Sequence, residues 1–375
     1  MRLFFLFGSY NPTSAVGNRC LAYMRGLSEL KIPATFYFLL PDKDKSKVIG
    51  EFPNITVKYL WDHWHINNRL LKYIPYFYHI LRFRRALIDD DRVYMYDLND
   101  VPRYLFGKKG IKLFYEKTEH PLVSNFGSLL RRVTLKSHIE DCAKYDGLFV
   151  ISNALRDYYI SQGIDARKIH VINIIVDPER FSGLETVEKK RQIVYCGNAN
   201  NNKDGVDQLI KAFASIHNEA PDVKLVIIGP KPDELDNNNN LSLAKELGII
   251  DSVIFTGKVS PQSIPMFLSE SSIAALDRPF NLQAKYGFPT KLGEYLLSGT
   301  PVVVTRVGDI PLYLEDKINA IIAEPDNISS FSDCLLWTLN HPKEASEIGE
   351  RGKQVALSHF SYLGETKKLI DAMMA

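Results

Sequence analysis

Short apolar runs alternate with amphipathic stretches along almost the whole chain. The runs are four to six residues long, which is typical of strands buried in a sheet. In the first half they lie at Leu3–Phe7, Thr35–Leu40, Arg92–Tyr96, Lys112–Tyr115, Gly147–Ile151 and Lys168–Ile172. They resume at Gln192–Tyr195, Lys224–Ile228, Ser252–Phe255, Ser272–Leu276 and Pro301–Val304. Because the intervening stretches have helical periodicity, the pattern predicts βαβ units and parallel sheets.

A charged segment, residues 177–191, separates two such series. Two series predict an α/β chain with two doubly wound, Rossmann-like domains. We expect an N-terminal domain at residues 1–181, a C-terminal domain at 182–358 and a final helix at 359–375, for which a return to the N-terminal domain is one option. Since ligands of open α/β sheets bind beyond the carboxyl ends of the strands, we expect the domains to face one interdomain cleft.

The composition is that of an ordinary globular protein. Of the 375 residues, 45% are hydrophobic and 24% are charged, which excludes a disordered chain and a polytopic membrane protein. The formal net charge is only +2, so the chain carries no nucleic-acid signature. Residues 1–180 nevertheless hold 27 Lys and Arg against 19 Asp and Glu, and the remainder holds 19 against 25. The two halves therefore present different surfaces.

Cysteine usage and apolar stretches indicate the compartment. The four cysteines are far apart and form no Cys-x-x-Cys pair, which favours reduced, buried thiols over disulfides or zinc. The run Leu3–Phe7 is too short for the core of a signal peptide. No stretch approaches the roughly 20 apolar residues that span a bilayer. We therefore expect a cytoplasmic protein.

The most informative segment is 285–308, KYGFPTKLGEYLLSGTPVVVTRVG. It predicts a Gly/Pro turn, a helix that begins near Thr290 and stops at Gly299, and then a buried strand. A helix N-terminus preceded by glycine suits a phosphate. Lys291 and Glu294 share one helix face, where lysine can pair with phosphate and a carboxylate can accept hydrogen bonds from a vicinal diol such as ribose. A surface ion pair on a packed helix explains the same residues equally well.

Three further segments place polar groups after predicted strands. IVYCGNANNNKDGVDQLIKAF carries Lys203 on a loop that suits phosphate but lacks the Walker spacing; a solvated lysine is the alternative. The loop after the first strand reaches Gly17, where a ligand could approach the backbone. That loop lacks Gly-x-Gly-x-x-Gly, which disfavours a dinucleotide site. LFYEKTEHPL places Glu116, Glu119 and His120 at a strand end, a usual position for acid–base groups.

Residues 59–86 mix aromatic and basic side chains. The favoured interpretation is an amphipathic helix packed on the sheet with its arginines in water. An anionic membrane surface or a lipid-linked acceptor is the alternative partner. His63 and His65, beside Trp61 and Trp64, fit surface packing better than a metal site. No His, Asp or Glu cluster has a dependable metal spacing, so we expect no metal.

Taken in order, these motifs resemble a family-four glycosyltransferase of the GT-B fold, whose members retain anomeric configuration. The matching stretches are PTKLGEYLLSGTPVVVT, VINIIVDPERF, YCGNANNNKDGVDQLIKAF, VKLVIIGP and VIFTGKVS. They cover most of residues 168–310, whereas the N-terminal half matches only in strand–helix order, the Gly17 loop and His120. The resemblance implies an acceptor-side N-terminal domain and a C-terminal domain that binds a nucleotide-sugar.

The resemblance also implies roles for individual residues. Glu294 would bind the ribose hydroxyls, Lys203 would contact the diphosphate, and Gly17 would lie near the β-phosphate. His120 would be the catalytic residue beside the anomeric carbon. The amides from Phe288 to Leu292 would hold the sugar or a phosphate. The implied donor-binding set is Gly17, Lys203, Phe288, Pro289, Thr290, Lys291, Leu292 and Glu294, with Tyr286 as a candidate sugar contact and Val259 as a candidate base contact.

Three positions depart from the family's pattern. Tyr286 stands where a donor-contacting Glu is frequent, Asn198 stands where an Arg usually follows the loop glycine, and Asn18 replaces a second glycine after Gly17. The donor sugar therefore stays open.

The implied function is the transfer of a sugar from a nucleotide-diphosphate donor to a carbohydrate or lipid-linked acceptor, in cell-surface glycan or polysaccharide synthesis. We expect no cofactor, no metal and no nucleic acid. Peripheral contact with the inner face of the membrane, through the basic N-terminal domain, is a further option. The alternatives are a nucleotide-sugar epimerase of the same fold and a non-catalytic sugar- or nucleotide-binding protein, including one of periplasmic type.

Overall fold

A computed structural model describes most of the chain. The described residues are 1–8, 10, 14–39, 52–59, 73–96, 98, 101–123, 134–184, 187–231 and 239–375. They form two compact units. Unit 1 comprises Met1–Asn173 and Tyr362–Ala375, and unit 2 comprises Ile174–Ser361.

Unit 1 is built on a seven-stranded parallel sheet of order β3-β2-β1-β4-β5-β6-β7. Its strands are β1 (Leu3–Phe7), β2 (Ala34–Phe38), β3 (Ile55–Tyr59), β4 (Arg92–Tyr96), β5 (Lys112–Lys117), β6 (Gly147–Val150) and β7 (Ile169–Val171). The central strands β1 and β4 pair in register from Leu3 opposite Arg92, and both are buried throughout. Burial on both faces explains their continuous apolar runs.

Helices connect and cover these strands. They are α1 (Ala15–Glu29), α2 (Tyr73–Ala86), α3 (Val101–Leu105), α4 (Leu135–Cys142) and α5 (Asn153–Ser161), and the C-terminal helix α14 (Tyr362–Met374) belongs to the same unit. Ser14 caps α1 through its hydroxyl, and Ser152 caps α5 in the same way, as short polar side chains do at helix starts.

Unit 2 is built on a six-stranded parallel sheet of order β10-β9-β8-β11-β12-β13. Its strands are β8 (Lys190–Cys196), β9 (Lys224–Ile228), β10 (Val253–Gly257), β11 (Ser271–Leu276), β12 (Val302–Thr305) and β13 (Ile321–Ala323). Its helices are α6 (Asn201–Asp204), α7 (Val206–Ile216), α8 (Asn240–Glu246), α9 (Ile264–Ser269), α10 (Leu282–Tyr286), α11 (Thr290–Leu297), α12 (Ile328–Asn340) and α13 (Pro342–His359).

The alternating pattern predicted these sheets with two omissions. Strands β3 and β13 lie at sheet edges and are missing from the predicted set. The predicted charged break is also too long, because Lys190 and Arg191 belong to β8. The predicted helix of the 285–308 segment is confirmed: α11 begins at Thr290, and Gly299 follows it with a φ of +71°.

Candidate functional site

The sheet of unit 2 changes direction between β8 and β11. From β8 the chain proceeds outward to β9 and β10, and it then returns to place β11 on the other side of β8. Loops diverge at such a switch point and leave a crevice at the carboxyl ends of the strands, where open α/β sheets bind ligands. The loop after β8 and the residues after β11 therefore form the candidate site.

Lys291 lies against the loop that follows β8. A β-carbon at Gly197 would come within 2.9 Å of the Lys291 ammonium and 2.5 Å of the Tyr195 hydroxyl. Lys291 donates to Asp204 at 2.6 Å, and Tyr195 donates to the same carboxylate oxygen at 2.8 Å. The other oxygen of Asp204 is buried without a hydrogen-bond partner. Lys291 is thus a largely enclosed cation and not a surface lysine, since only 17% of its side chain is exposed.

Two more cations share this position. The pKa of Lys291 is lowered, mainly because the side chain is buried. Asp204 acts to raise this pKa, whereas the nearby charges of Arg278 and Lys203 lower it further. The guanidinium of Arg278 donates to the Lys203 carbonyl at 3.3 Å. Burial acts to raise the pKa of Asp204, but the charges of Lys291 and Arg278 and the hydrogen bonds from Lys291 and Tyr195 hold it below the usual range.

A neighbouring carboxyl is only partly ionised at neutral pH. Asp277 is buried directly after β11, and burial together with Asp207 and Asp326 raises its pKa to about 7. Gly205 makes this close approach of chain segments feasible: its φ is +61°, and a β-carbon there would collide with the Asp277 carbonyl. The cationic side chains that meet here, Lys203, Arg278 and Lys291, suit an anion with more than one charge.

Glu294 is held by a residue that the sequence did not single out. Arg180, in the 3₁₀ turn Pro178–Phe181, forms an ion pair with Glu294 and donates to the Pro261 carbonyl at 2.9 Å. About a quarter of each charged side chain is exposed, so the carboxylate remains within reach of a ligand. Burial lowers the pKa of Arg180. The VINIIVDPERF stretch thus supplies a neighbour of the predicted ribose-binding group.

The start of α11 offers fewer amides than predicted. Pro289 has no amide hydrogen, and the Leu292 amide donates to the Pro289 carbonyl at 3.0 Å. The ring of Phe288 is buried against Tyr313 and Phe360, so that side chain anchors the turn. No side chain caps α11, which leaves its first-turn amides at Thr290 and Lys291 as the candidate anion contacts.

Tyr295 is a further residue that the motif did not identify as part of the site. Its hydroxyl accepts from the Cys196 amide at 2.6 Å and donates to the Cys196 carbonyl at 3.1 Å. This pair of hydrogen bonds fixes α11 to the end of β8. The spacing of Lys291, Glu294 and Tyr295 puts all three on one helix face. This periodicity is the sequence feature from which Tyr295 could have been predicted to lie at the site.

Two lesser candidates follow other elements of unit 2. Tyr286 ends α10 half-buried, with the Lys285 ammonium 5.1 Å from its ring centre. Val259 is half-buried in the segment after β10. Their roles at the donor site stay predictions.

Gly17 lies buried in the first turn of α1, and its amide donates to the Ser14 hydroxyl at 3.0 Å. This amide is therefore engaged in helix capping. Its predicted proximity to a phosphate stays a prediction.

His120 follows β5 and is buried against Tyr158, with 4.2 Å between ring centres. Its Nδ1 accepts from the Leu122 amide at 3.2 Å. A neutral imidazole that accepts at Nδ1 carries its proton on Nε2. His120 can therefore donate a hydrogen bond through Nε2.

The expectation that Glu116 stands beyond its strand as an acid–base group is wrong. Glu116 lies inside β5 and is fully buried. It pairs with Arg19 at 2.5 Å and accepts from the hydroxyls of Tyr23, at 2.9 Å, and Tyr94. Arg19 also donates to the carbonyls of Ile172 and Asn173. Burial acts to lower the pKa of Arg19, but the charge of Glu116 raises it overall. Arg19 and Glu116 therefore form a buried ion pair that stabilises unit 1.

The remaining expectations concern the Trp/His segment, the cysteines, metal binding and membrane spans. Trp61, His63, Trp64 and His65 lie outside the described residues. The four cysteines are free; Cys20 and Cys142 are buried, whereas Cys196 and Cys334 are half-buried. Within the described ranges, no group of three or more His, Cys, Asp and Glu side chains could hold a metal. Among those same residues, no helix combines the length and apolarity needed to cross a bilayer.

Solved structures share this architecture over its whole length. Sucrose-phosphate synthase from Thermosynechococcus elongatus matches 99% of this chain and 97% of its own, with a TM-score of 0.76 at 13% identity. Anabaena HepE in complex with UDP matches 100% of both chains, with a TM-score of 0.75 at 16% identity. The chain is thus a two-unit α/β protein of the GT-B fold, as predicted.

The family follows from the sequence of the second unit. Residues 177–355 match the model of the family described as glycosyl transferases group 1. The predicted resemblance is thus confirmed over nearly the whole of unit 2. The MMP alpha-(1->4)-mannosyltransferase of Mycolicibacterium hassiacum is 26% identical over 217 residues, which are 57% of this chain and 50% of that protein. The chain therefore spans about half the length of this curated relative.

Proposed function

We propose that the protein is a retaining glycosyltransferase that moves a sugar from a nucleotide-diphosphate donor to a carbohydrate or lipid-linked acceptor, in cell-surface glycan or polysaccharide synthesis. The observation that carries the proposal is the cluster of cationic side chains at the switch point of unit 2. There the Lys291 ammonium pairs with Asp204 beside Gly197, and the Arg278 guanidinium donates to the Lys203 carbonyl. A diphosphate is the anion that this cluster fits best.

The same residues suit the chemistry of glycosyl transfer. When the bond between the sugar and the diphosphate breaks, negative charge grows on the departing phosphate. Fixed cations and the amino end of α11 stabilise that charge without reorganising during the reaction. Asp204 keeps Lys291 beside Gly197, so the cation is positioned before the donor arrives.

The departure from the family's pattern at Asn198 has a physical interpretation. Asn198 stands where an arginine is usual, but Arg278 brings a guanidinium to the Lys203 carbonyl from the end of β11. We propose that Arg278 supplies the missing charge. Lys291 adds a second cation from α11, so the diphosphate subsite is complete despite Asn198.

The remaining roles are proposed with it. Glu294 binds the ribose hydroxyls, and Arg180 holds its carboxylate in place. His120 donates from Nε2 to a group near the anomeric carbon, a role that its acceptor bond at Nδ1 favours. The neighbouring structure in complex with UDP supports a uridine donor, and the relative that is a mannosyltransferase supports a hexose. The basic character of residues 1–180 supports a phosphate-bearing, membrane-held acceptor.

A thermal-shift panel of nucleoside diphosphates and nucleotide-sugars tests the donor site. We expect one base to raise the melting temperature of the native chain, because ligand binds only the folded state. Glu294→Ala should weaken that nucleotide about 10- to 100-fold, since two hydrogen bonds to a charged acceptor are lost. Glu350→Ala, on α13 and exposed, is the matched control and should leave affinity unchanged.

Equal nucleotide affinity in Glu294→Ala and the native chain would refute the ribose assignment. No shift with any nucleotide, in a chain that melts cooperatively, would refute the donor site as a whole. Product analysis with the binding donor then identifies transfer, because an epimerase converts the nucleotide-sugar without an acceptor.

A further inference from the structure

Helix α2 turns an apolar row toward solvent. Ile74, Tyr78 and Leu81 are 65%, 60% and 41% exposed, although they are spaced four and three residues apart and therefore lie on one helix face. Arg85 continues the row, and Arg82 lies beside it, also exposed. An amphipathic helix of a globular protein normally points such a row toward the core.

The fold does not need this row. The opposite side of α2 anchors the helix through Ile80 and Phe83, which are buried. The ring of Phe83 packs against Phe4 and Tyr37, with ring centres 5.5 and 5.0 Å apart. The outward row is thus available for a partner outside the unit.

The positive charge of the helix favours an anionic partner. α2 contains Arg82, Arg84 and Arg85 and no Asp or Glu. Arginine stems can lie along apolar surface while their guanidinium groups reach phosphate. A helix with cations flanking an apolar row is the pattern of segments that lie in the interface of an anionic bilayer.

The dimensions favour a bilayer over a protein. The row from Ile74 to Arg85 is one helix wide and roughly 16 Å long at 1.5 Å per residue. A stable protein interface requires about 800 Å² on each partner, which so narrow a strip does not provide. An interfacial helix needs only to bury such a strip among the headgroups.

We infer that the outward face of α2, formed by Ile74, Tyr78, Leu81, Arg82 and Arg85, docks the protein onto an anionic lipid surface. The inference deepens the proposed function, on which its link to a lipid-held acceptor rests. In a right-handed β3–α2–β4 crossover the helix begins at the carboxyl edge of the sheet. Its apolar end, at Ile74 and Tyr78, therefore lies toward the edge where α/β sheets bind their ligands.

Vesicle co-sedimentation of the full chain tests this inference. We expect binding to phosphatidylcholine vesicles that contain phosphatidylglycerol, little binding to phosphatidylcholine alone, and loss of binding at high salt. Arg82→Gln with Arg85→Gln should weaken binding to anionic vesicles more than tenfold, at about fivefold for each cation near the surface. Ile74→Ser with Tyr78→Ser and Leu81→Ser should weaken it about tenfold or more, because the apolar row no longer inserts.

Matched controls come from exposed apolar residues of unit 2. Leu312→Ser with Ile318→Ser, which are 64% and 48% exposed in the native chain, should leave vesicle binding unchanged. Failure of the native chain to bind anionic vesicles at low salt would overturn the inference. Full binding of the triple serine variant to anionic vesicles would also overturn the inference. It would mean that positive charge alone holds the protein on the vesicle, without insertion of the apolar row.

Nucleotide thermal shifts in the same variants separate this inference from the proposed function. The α2 variants should keep the native nucleotide shift, because they lie outside the donor site. A chain that binds vesicles but no nucleotide refutes glycosyl transfer and leaves the docking surface. A chain that binds nucleotide but no anionic vesicle refutes the docking surface alone.

Discussion

One carboxyl beside the proposed diphosphate site keeps its proton up to nearly neutral pH. Asp277 is only 4% exposed, and burial with the charges of Asp207 and Asp326 raises its pKa to about 7. In an unfolded chain the same group titrates near 3.8. Between these two values the folded state binds a proton that the unfolded state has released.

Asp277 should therefore make unit 2 less stable as the pH rises. The loss of stability begins above about pH 4 and grows toward pH 7, because over this range the unfolded state releases the proton that the folded state still holds. We expect Asp277→Asn to match the native chain near pH 4 and to exceed it by about 2–4 kcal/mol near pH 8. Urea unfolding at several pH values measures the difference.

Asp251→Asn provides the control for that experiment, since Asp251 is exposed in the same unit. Its stability relative to the native chain should not change with pH over this range. A pH-independent difference between Asp277→Asn and the native chain would contradict the assignment of the raised pKa.

At the residue scale, sequence patterns reveal neighbours along a helix and miss partners across the fold. Lys291 and Glu294 share a face of α11 because they are three residues apart. Their counterions, Asp204 and Arg180, are distant in sequence and meet them only after β8 and β11 pair. No local pattern marks Asp204 as the partner of Lys291. Glu116 misleads for the same reason, since only the packed sheet shows that Arg19 neutralises it.

At the scale of elements, helix α11 is positioned by a close approach at Gly293. A β-carbon there would overlap Val176 and lie 2.8 Å from the Ile174 side chain. The absence of a side chain lets the helix pack directly on this strand-like segment. Because Glu294 follows Gly293, the same close packing also positions the carboxylate that is proposed to bind ribose.

Gly293→Ala should destabilise unit 2 although alanine is the better helix former. The propensity gain is at most about 1 kcal/mol, and overpacking costs about 1–3 kcal/mol. We expect a net loss of about 1–2 kcal/mol in urea unfolding, together with weaker nucleotide binding. Thermal shifts with nucleoside diphosphates measure the change in nucleotide affinity.

A double-mutant cycle with Val176→Ala checks the cause. Removing the methyl groups of Val176 makes room for the new β-carbon, so the combined loss should be smaller than the sum of the single losses. Strict additivity would show that the overlap with Val176 is not what Gly293→Ala disturbs.

The strands missed from sequence share one physical trait, which is position at an edge. β3 alternates half-buried and exposed residues, with Thr56 and Lys58 facing water. β13 has only three residues. Central strands are buried on both faces and reveal themselves as continuous apolar runs, whereas edge strands need neither length nor full burial.

At the scale of the whole molecule, the last helix completes the first unit. α14 follows unit 2 in sequence but packs on α1 of unit 1. Its Tyr362 hydroxyl donates to Glu29 at 2.5 Å, and Glu365 accepts from the Asn173 amide at 2.7 Å. Leu369 and Met373 are fully buried there. Periodicity alone indicates that residues 362–374 form a helix, but not which sheet the helix covers.

The stability of unit 1 should therefore depend on residues at the far end of the chain. In a chain that ends at Ser361, the face of α1 around Gly26 loses its cover, and Asn173 loses its carboxylate acceptor. Removing the burial of Leu369, Ile370 and Met373 alone costs about 5 kcal/mol or more. Such a loss is comparable with the whole stability of a typical domain.

Hydrogen exchange resolves where that loss falls. We expect amides of β1, β4 and α1 to lose protection in the shortened chain while those of β8 and β11 keep it, because α14 packs on α1 and β6 of unit 1. Leu363→Ala with Lys367→Ala, on the exposed side of α14, should leave both sets protected. Equal loss of protection in β8 and β11 would mean that the two units unfold as one cooperative body, and the helix would then stabilise the molecule rather than its first unit.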